Sequence, residues 1–349
     1  MFFRKLVWPM VVAFCALCAA AAWASAPKPS AVTPALIDAA CKEGKVTWYT
    51  SAELELVTTI AKSFEAKYKC ISVQVERSGA ERNFQRIGQE YGIGIHTADV
   101  IDSSDATHFI LWKRASLLAP YLPADVVKNY PAQYRDPDGT FAIWRATLSV
   151  MGYNTKLVKP SDAPKSFADL LQPKWSGKIV KAHPGYSGTI LTATYAISRD
   201  IGWPYFEKLA KQNVLQKQSA NDPPGDLGRG ERPIMADGVE YLLLHEKKDG
   251  QPVEPIYPSE GTPIILGGLG IMKDAPHPNA ARLYEDYLFS PDAQQLIVDM
   301  GNMRSLDARI KEPAGRRPLK DIKTLKDDPA ATAAHADEVK KRYADIFGV

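Results

Sequence analysis

The stretch KIVKAHPGYSGTILTATYA, Lys178 to Ala196, holds the residues best suited to chemistry. Ile179 and Val180 read as the end of a buried strand. Pro184 and Gly185 break it, and the residues from Thr189 onward are apolar enough for a packed helix. Tyr186, Ser187, Gly188 and Thr189 then stand where that helix begins. A helix start offers free backbone N–H groups and the positive end of the dipole, both of which attract anions. Gly188 leaves room for close approach to the backbone, and Ser187 or Thr189 can cap the first turn. A serine that only caps a helix would fit the same letters, so the anion reading depends on what faces it.

Three other loops qualify. Val46–Thr50, Ile71–Val75 and Ala98–Ile101 read as strands, each followed by an apolar helical stripe. This β-α-β-α-β-α order predicts an α/β fold with a parallel sheet. Ligands of such sheets bind outside the carboxyl ends of the strands. The loops there are Ser51-Ala52-Glu53, Arg77 to Arg82, and Asp102-Ser103-Ser104-Asp105. They offer Ser51, Glu53, Ser78, Gly79, Glu81, Arg82, Ser103 and Ser104 as a polar rim. Further on, 141–153 reads as one strand with Arg145, Thr147 and Ser149 on one face. Asn221 to Gly230, rich in Pro and Gly, reads as a mobile loop. A strand leads into a helix around Glu240 and Tyr241, and the chain ends in a charged tail and a helix over 334–347.

Composition narrows the class. The chain has 349 residues, 45% hydrophobic and 24% charged, enough for two cores. Residues 1–26 read as a cleavable export signal: Arg4 and Lys5, an apolar run, then Ala24-Ser25-Ala26. Removing it takes the net charge from 43 − 40 = +3 to 41 − 40 = +1, giving no basis for nucleic-acid binding. Of four cysteines, only Cys41 and Cys70 follow the signal, and an oxidising compartment favours their pairing. No G-x-S-x-G, H-E-x-x-H or phosphate-binding loop motif occurs, so no enzyme is expected.

The motifs VTWYTSAELE, TADVIDSSDA, VMGYNTKLV, SFADLLQPKWSGKI, HPGYSGT and YPSEGTPIILGGLGIMKDAPHPNAARLYEDYLFSPDAQQLI follow in this order. Together they resemble the periplasmic solute-binding proteins of ABC importers, ferric-iron type, over nearly all of the chain after the signal. The resemblance implies a two-lobed type II architecture with the ligand in the cleft. Lobe one would be 33–142 plus 264–305 and lobe two 143–263, with 306–349 a helical extension packed on the body. It implies a monomer in the periplasm, an ABC permease partner, and no resident cofactor. Iron-binding members usually carry two adjacent tyrosines where this chain has Glu240-Tyr241, and many carry two arginines where it has Thr147 and Ser149. A small anion held by Arg145 or Arg82 is therefore the expected ligand. Ferric iron, with Tyr241 and Glu240 as donors, is the alternative. A ligand-sensing partner of a membrane receptor would use the same fold.

Overall fold

A computed structural model describes residues 27–349, so the expected export signal lies outside the described residues. The chain opens with α1 (Pro34–Glu43), capped by Thr33, with Pro34 in its first turn and Gly44 closing it at φ 72°. Then β1 (Lys45–Thr50), α2 (Leu54–Lys67), β2 (Ser72–Arg77), α3 (Ala80–Gly92), β3 (Val100–Ser103) and α4 (Ala106–Arg114) alternate as expected. β1 pairs in parallel with both β2 and β3, which puts Ser51, Ser78 and Ser104 along one edge of the sheet. Cys41 of α1 and Cys70 ahead of β2 are joined by a disulfide.

After β4 (Leu118–Ala119) and α5 (Ala124–Asn129), the expected 141–153 strand is two strands in two sheets. β5 (Ala142–Leu148) lies antiparallel, in the first sheet, to a later strand over 262–272. β6 (Met151–Asn154) belongs to the second. The break falls at Ser149 and Val150. Ser149 N–H donates to the carbonyl of Pro263, in a strand of the first sheet, and Val150 N–H donates to that of Gly238 on the other side. The position 143 expected to open the second lobe therefore lies inside a strand of the first sheet.

The second sheet has the order β10-β6-β9-β7-β8. Its elements are β7 (Ile179–Ala182), α6 (Gly188–Asp200), α7 (Trp203–Ala210), β8 (Leu215–Lys217), α8 (Asp222–Arg229), β9 (Ile234–Met235), α9 (Glu240–Lys248) and β10 (Val253–Ile256). The expected mobile loop at 221–230 is the helix α8. Pro223 and Pro224 sit in its first turn, where no N–H is needed, and Gly230 closes it at φ 76°.

The chain returns to the first sheet in β11 (Thr262–Met272), which pairs with β3, β4 and β5, then packs α10 (Pro278–Leu288) and α11 (Pro291–Asp299) beside it. The tail adds β12 (Thr324–Leu325), parallel to β11, and α12 (Pro329–Phe347). The helix α12 packs on α4, α6 and α7, with Thr332, Val339 and Tyr343 buried. The charged tail is thus anchored in the body. Trp48, Phe64, Trp144 and Tyr284 centre the first core; Phe167, Leu170, Phe206 and Tyr343 centre the second.

Candidate functional site

A cavity of about 620 Å³ lies between the carboxyl edges of the two sheets. The first sheet contributes Ser51, Arg77, Ser78, Gly79, Glu81, Arg82, Ser104, Arg145 and Thr147. The second contributes Tyr186, Ser187, Gly188, Thr189, Gln218, Ser219, Asn221 and Tyr241.

The floor is built on β1, β3 and β5. Arg145 is buried, and its Nη2 donates to Asp102 Oδ1 at 3.0 Å and to Ser51 Oγ at 3.2 Å. Ser51 Oγ also accepts the Ser104 N–H at 2.9 Å. Asp102 is fully buried. The Arg145 charge is thus already matched by a carboxylate, although its Nε has no partner among the described residues. The expectation that Arg145 holds a ligand anion meets this internal neutralisation.

The Arg77–Arg82 loop is different. α3 begins at Ala80, so Glu81 and Arg82 stand in its first turn instead of in a loop. Gly79 is its N-cap and supplies no side-chain bond to the first turn. Arg77 Nε donates to Ala52 O at 3.2 Å, and neither Arg77 nor Arg82 is in a salt bridge among the described residues. Among the described residues, Glu81 is the one carboxylate lining the cavity. It lies 3.4 Å from His108 Nε2 and accepts Gln85 Nε2 at 3.0 Å. The hydrogen bond from His108 holds Glu81 down at about 2, although burial opposes it.

Across the cavity, Ser187 is the N-cap of α6, and its Oγ accepts the Ile190 N–H at 3.4 Å. Gly188 packs against Asp105, the cap of α4: a Cβ at 188 would lie 2.9 Å from Asp105 Oδ2. A carboxylate therefore already approaches the positive end of α6. Tyr186 stands on the rim, 66% exposed. Tyr241 opens α9's second position; burial raises its phenol, partly offset by Arg145 and Arg77.

Three expected residues are not on the cavity. Ser103 is buried behind it, with His108 Nδ1 2.9 Å from its Oγ. Glu53 heads α2 and lies 3.8 Å from His245. Glu240 is fully buried. Its two oxygens accept Arg304 Nε at 3.0 Å and Nη2 at 2.7 Å, Arg316 Nη2 at 3.0 Å, and Tyr257 OH at 2.6 Å. Burial pushes the Glu240 carboxyl up, but these cations outweigh it and leave it below the usual range. Such a carboxylate has no free oxygen to offer a metal, which corrects its assignment as an iron donor. No three His, Cys, Asp or Glu side chains form a metal-binding group among the described residues.

Sequence reasoning placed Arg77 in a ligand loop and Thr147 on a polar strand face without naming either as lining, and missed Gln85, Gln218, Ser219 and Asn221. The last three follow β8, which is parallel to β7, so they leave the sheet at the same edge as His183 to Ser187. The signal was the polar cluster Gln218-Ser219-Ala220-Asn221.

The fold and cleft agree with known proteins. The protein AfuA of Actinobacillus pleuropneumoniae, solved with fructose-6-phosphate, superposes with a TM-score of 0.79 at 23% identity, over 88% of this chain and 99% of that one. Iron-bound HitA of Pseudomonas aeruginosa gives 0.76 at 22% identity, over 86% and 99%. Both likenesses speak for the two-lobed periplasmic-binding-protein fold. Iron uptake protein A2 of Synechocystis is 26% identical over 251 residues, 66% of this chain and 70% of that protein. A probable ABC transporter periplasmic-binding protein of Sinorhizobium fredii is 27% identical over 232 residues, 62% and 63% of the two chains. The family model described as bacterial extracellular solute-binding protein matches residues 96–321, well over half of the chain. With that match, and a cleft lined from both sheets, the chain belongs to the bacterial extracellular solute-binding proteins.

Proposed function

We propose that this chain is the periplasmic solute-binding component of an ABC importer and captures a small anion bearing a phosphate, phosphonate or carboxylate group. One observation carries the choice of an anion. Arg77 and Arg82 flank the α3 start, whose Gly79 cap offers no side chain, while Glu81, the one carboxylate lining the cavity among the described residues, is committed to His108 and Gln85. Two guanidiniums without a carboxylate partner among the described residues, beside free backbone N–H groups, form an anion seat. The opposite helix start, at Ser187 to Thr189, closes on the ligand from the other half, though Asp105 takes part of its field. The seat thus lies mainly on the Arg77–Arg82 side.

Titration calorimetry of the mature protein with inorganic phosphate, fructose-6-phosphate and citrate tests this. At least one should bind, and Arg77→Ala and Arg82→Ala should each weaken it by about tenfold, one charge-assisted hydrogen bond. Undiminished affinity in both variants would overturn the seat.

Ferric iron is the second reading, favoured by Tyr241 on the cavity wall and by iron-binding relatives. Its support is thinner here, because Glu240 is spent and the neighbouring arginines would repel a trivalent cation. Loading with ferric citrate and recording tyrosine–iron absorbance separates the two.

A further inference from the structure

The Glu240 cluster lies outside the cavity, yet it joins the elements that carry opposite walls of it. Glu240 opens α9, and its neighbour Tyr241 lines the cavity. Its main partner, Arg304, follows α11 and exchanges two backbone bonds with Ala146 of β5: Arg304 N–H to Ala146 O at 2.9 Å and Ala146 N–H to Arg304 O at 2.8 Å. Ala146 stands between Arg145 and Thr147, both on the cavity. An unbroken chain of contacts therefore runs from Tyr241 through Glu240 and Arg304 to the floor. Arg316 also donates to Glu240, and both arginines reach Glu312, at 2.9 Å and 3.3 Å. The cluster balances two buried cations against two carboxylates. Tyr257, on the segment returning from β10 to β11, adds the last bond.

We infer that Glu240 is the positioning residue of the cleft: through Arg304 it holds the Tyr241 phenol in register with Arg145 and Thr147. This rests on the reading of the cavity as the ligand site. The arrangement favours a pivot over a simple buried ion pair. The bidentate Arg304 contact fixes direction as well as distance, and a planar guanidinium gives a carboxylate one docking angle. His245, one turn further along α9, lies 2.9 Å from Met300 O through Nε2, so α9 is tied at two points to the segment that follows α11. The Tyr241 wall would then move with β5 rather than with the rest of the second sheet when the cleft opens.

The test uses the mature protein labelled with 3-fluorotyrosine, the 241 resonance being assigned by its loss in Tyr241→Phe. Glu240→Gln keeps the shape and removes the charge. It should shift or broaden the 241 resonance while that of Tyr49, on the far side of the first sheet, stays in place. It should also weaken whichever of inorganic phosphate, fructose-6-phosphate or citrate binds the parent by at least tenfold. If Glu240→Gln does not fold, Arg304→Lys keeps the charge but loses the paired geometry and should move the same resonance. An unmoved 241 resonance in a folded variant, even one with a lowered melting temperature, would overturn the inference. The resonance reports positioning whether or not any anion binds. Failure of all three anions would count against the ligand reading alone.

Discussion

Asp105 and Gly188 meet across the cleft, cap to first turn, with no room for a side chain at 188. An alanine Cβ there would lie 2.9 Å from Asp105 Oδ2 and 3.1 Å from its Cβ, closer than such atoms pack. Gly188→Ala should therefore hold the two halves apart. Small-angle scattering should give a larger radius of gyration, and ligand affinity should fall several-fold. Asp105→Gly in the same chain should restore both, since it removes the obstructing carboxylate. A normal radius in Gly188→Ala would show that the contact yields locally.

Ser187→Ala separates capping from binding. Loss of the cap should cost about 1 kcal/mol of stability, or roughly 2–4 °C of melting temperature for a domain of this size. If Ser187 also meets the ligand, affinity should drop by roughly tenfold or more. Lowered melting with unchanged affinity would leave Ser187 as a cap alone.

Tyr241→Phe distinguishes the ligands. A phenol raised by burial is a neutral hydrogen-bond donor, and its loss should weaken an anion only modestly. Were Tyr241 a phenolate donor to ferric iron, the same change would abolish binding and the visible absorbance with it.

Stability should fall as pH rises from about 4 to about 7. Burial raises the Asp286 carboxyl to about 7, and Tyr121 OH donates to it. The folded state then holds a proton that the unfolded chain has lost above about pH 4. Over that window stability declines by at most about 1.4 kcal/mol per pH unit for this one group, and the loss is complete above the folded value. Asp286→Asn should flatten the dependence in thermal melts between pH 5 and 8. An unchanged slope would mean the group titrates normally.

The Cys41–Cys70 bridge closes a loop with a sequence separation of 29. Its removal by Cys41→Ser with Cys70→Ser should cost about 3–4 kcal/mol on the chain-entropy account. Denaturant unfolding would measure it, and a shift below about 1 kcal/mol would assign the bridge little role.

Much of this architecture was legible because strand and helix periods at 46–114 are clean and the loops between them polar. Ser51, Ser78 and Ser104 reach one cavity simply because three strands run parallel. The misreadings have separate physical causes. Continuous apolar sequence hid the crossing at Ser149 and Val150, since a strand leaving one sheet for another keeps its burial pattern. Pro223 and Pro224 looked like breakers because proline serves a first helical turn as readily as a loop. Glu240 looked available because nothing local announces that Arg304 and Arg316, more than sixty residues later, will close on it. Arg145 looked free for the same reason, its partner Asp102 lying on a different strand.

The two sheets also differ in how the chain supplies them. Every strand of the second lies between Met151 and Ile256, whereas the first waits for β11, which begins at Thr262 and pairs with β3, β4 and β5. As the chain emerges from its N-terminus, the second sheet can therefore assemble from an unbroken stretch while the first is still missing its central member. Until β11 arrives, β3 and β5 each lack the neighbour that joins them, so the first sheet closes only after the whole second sheet has been made.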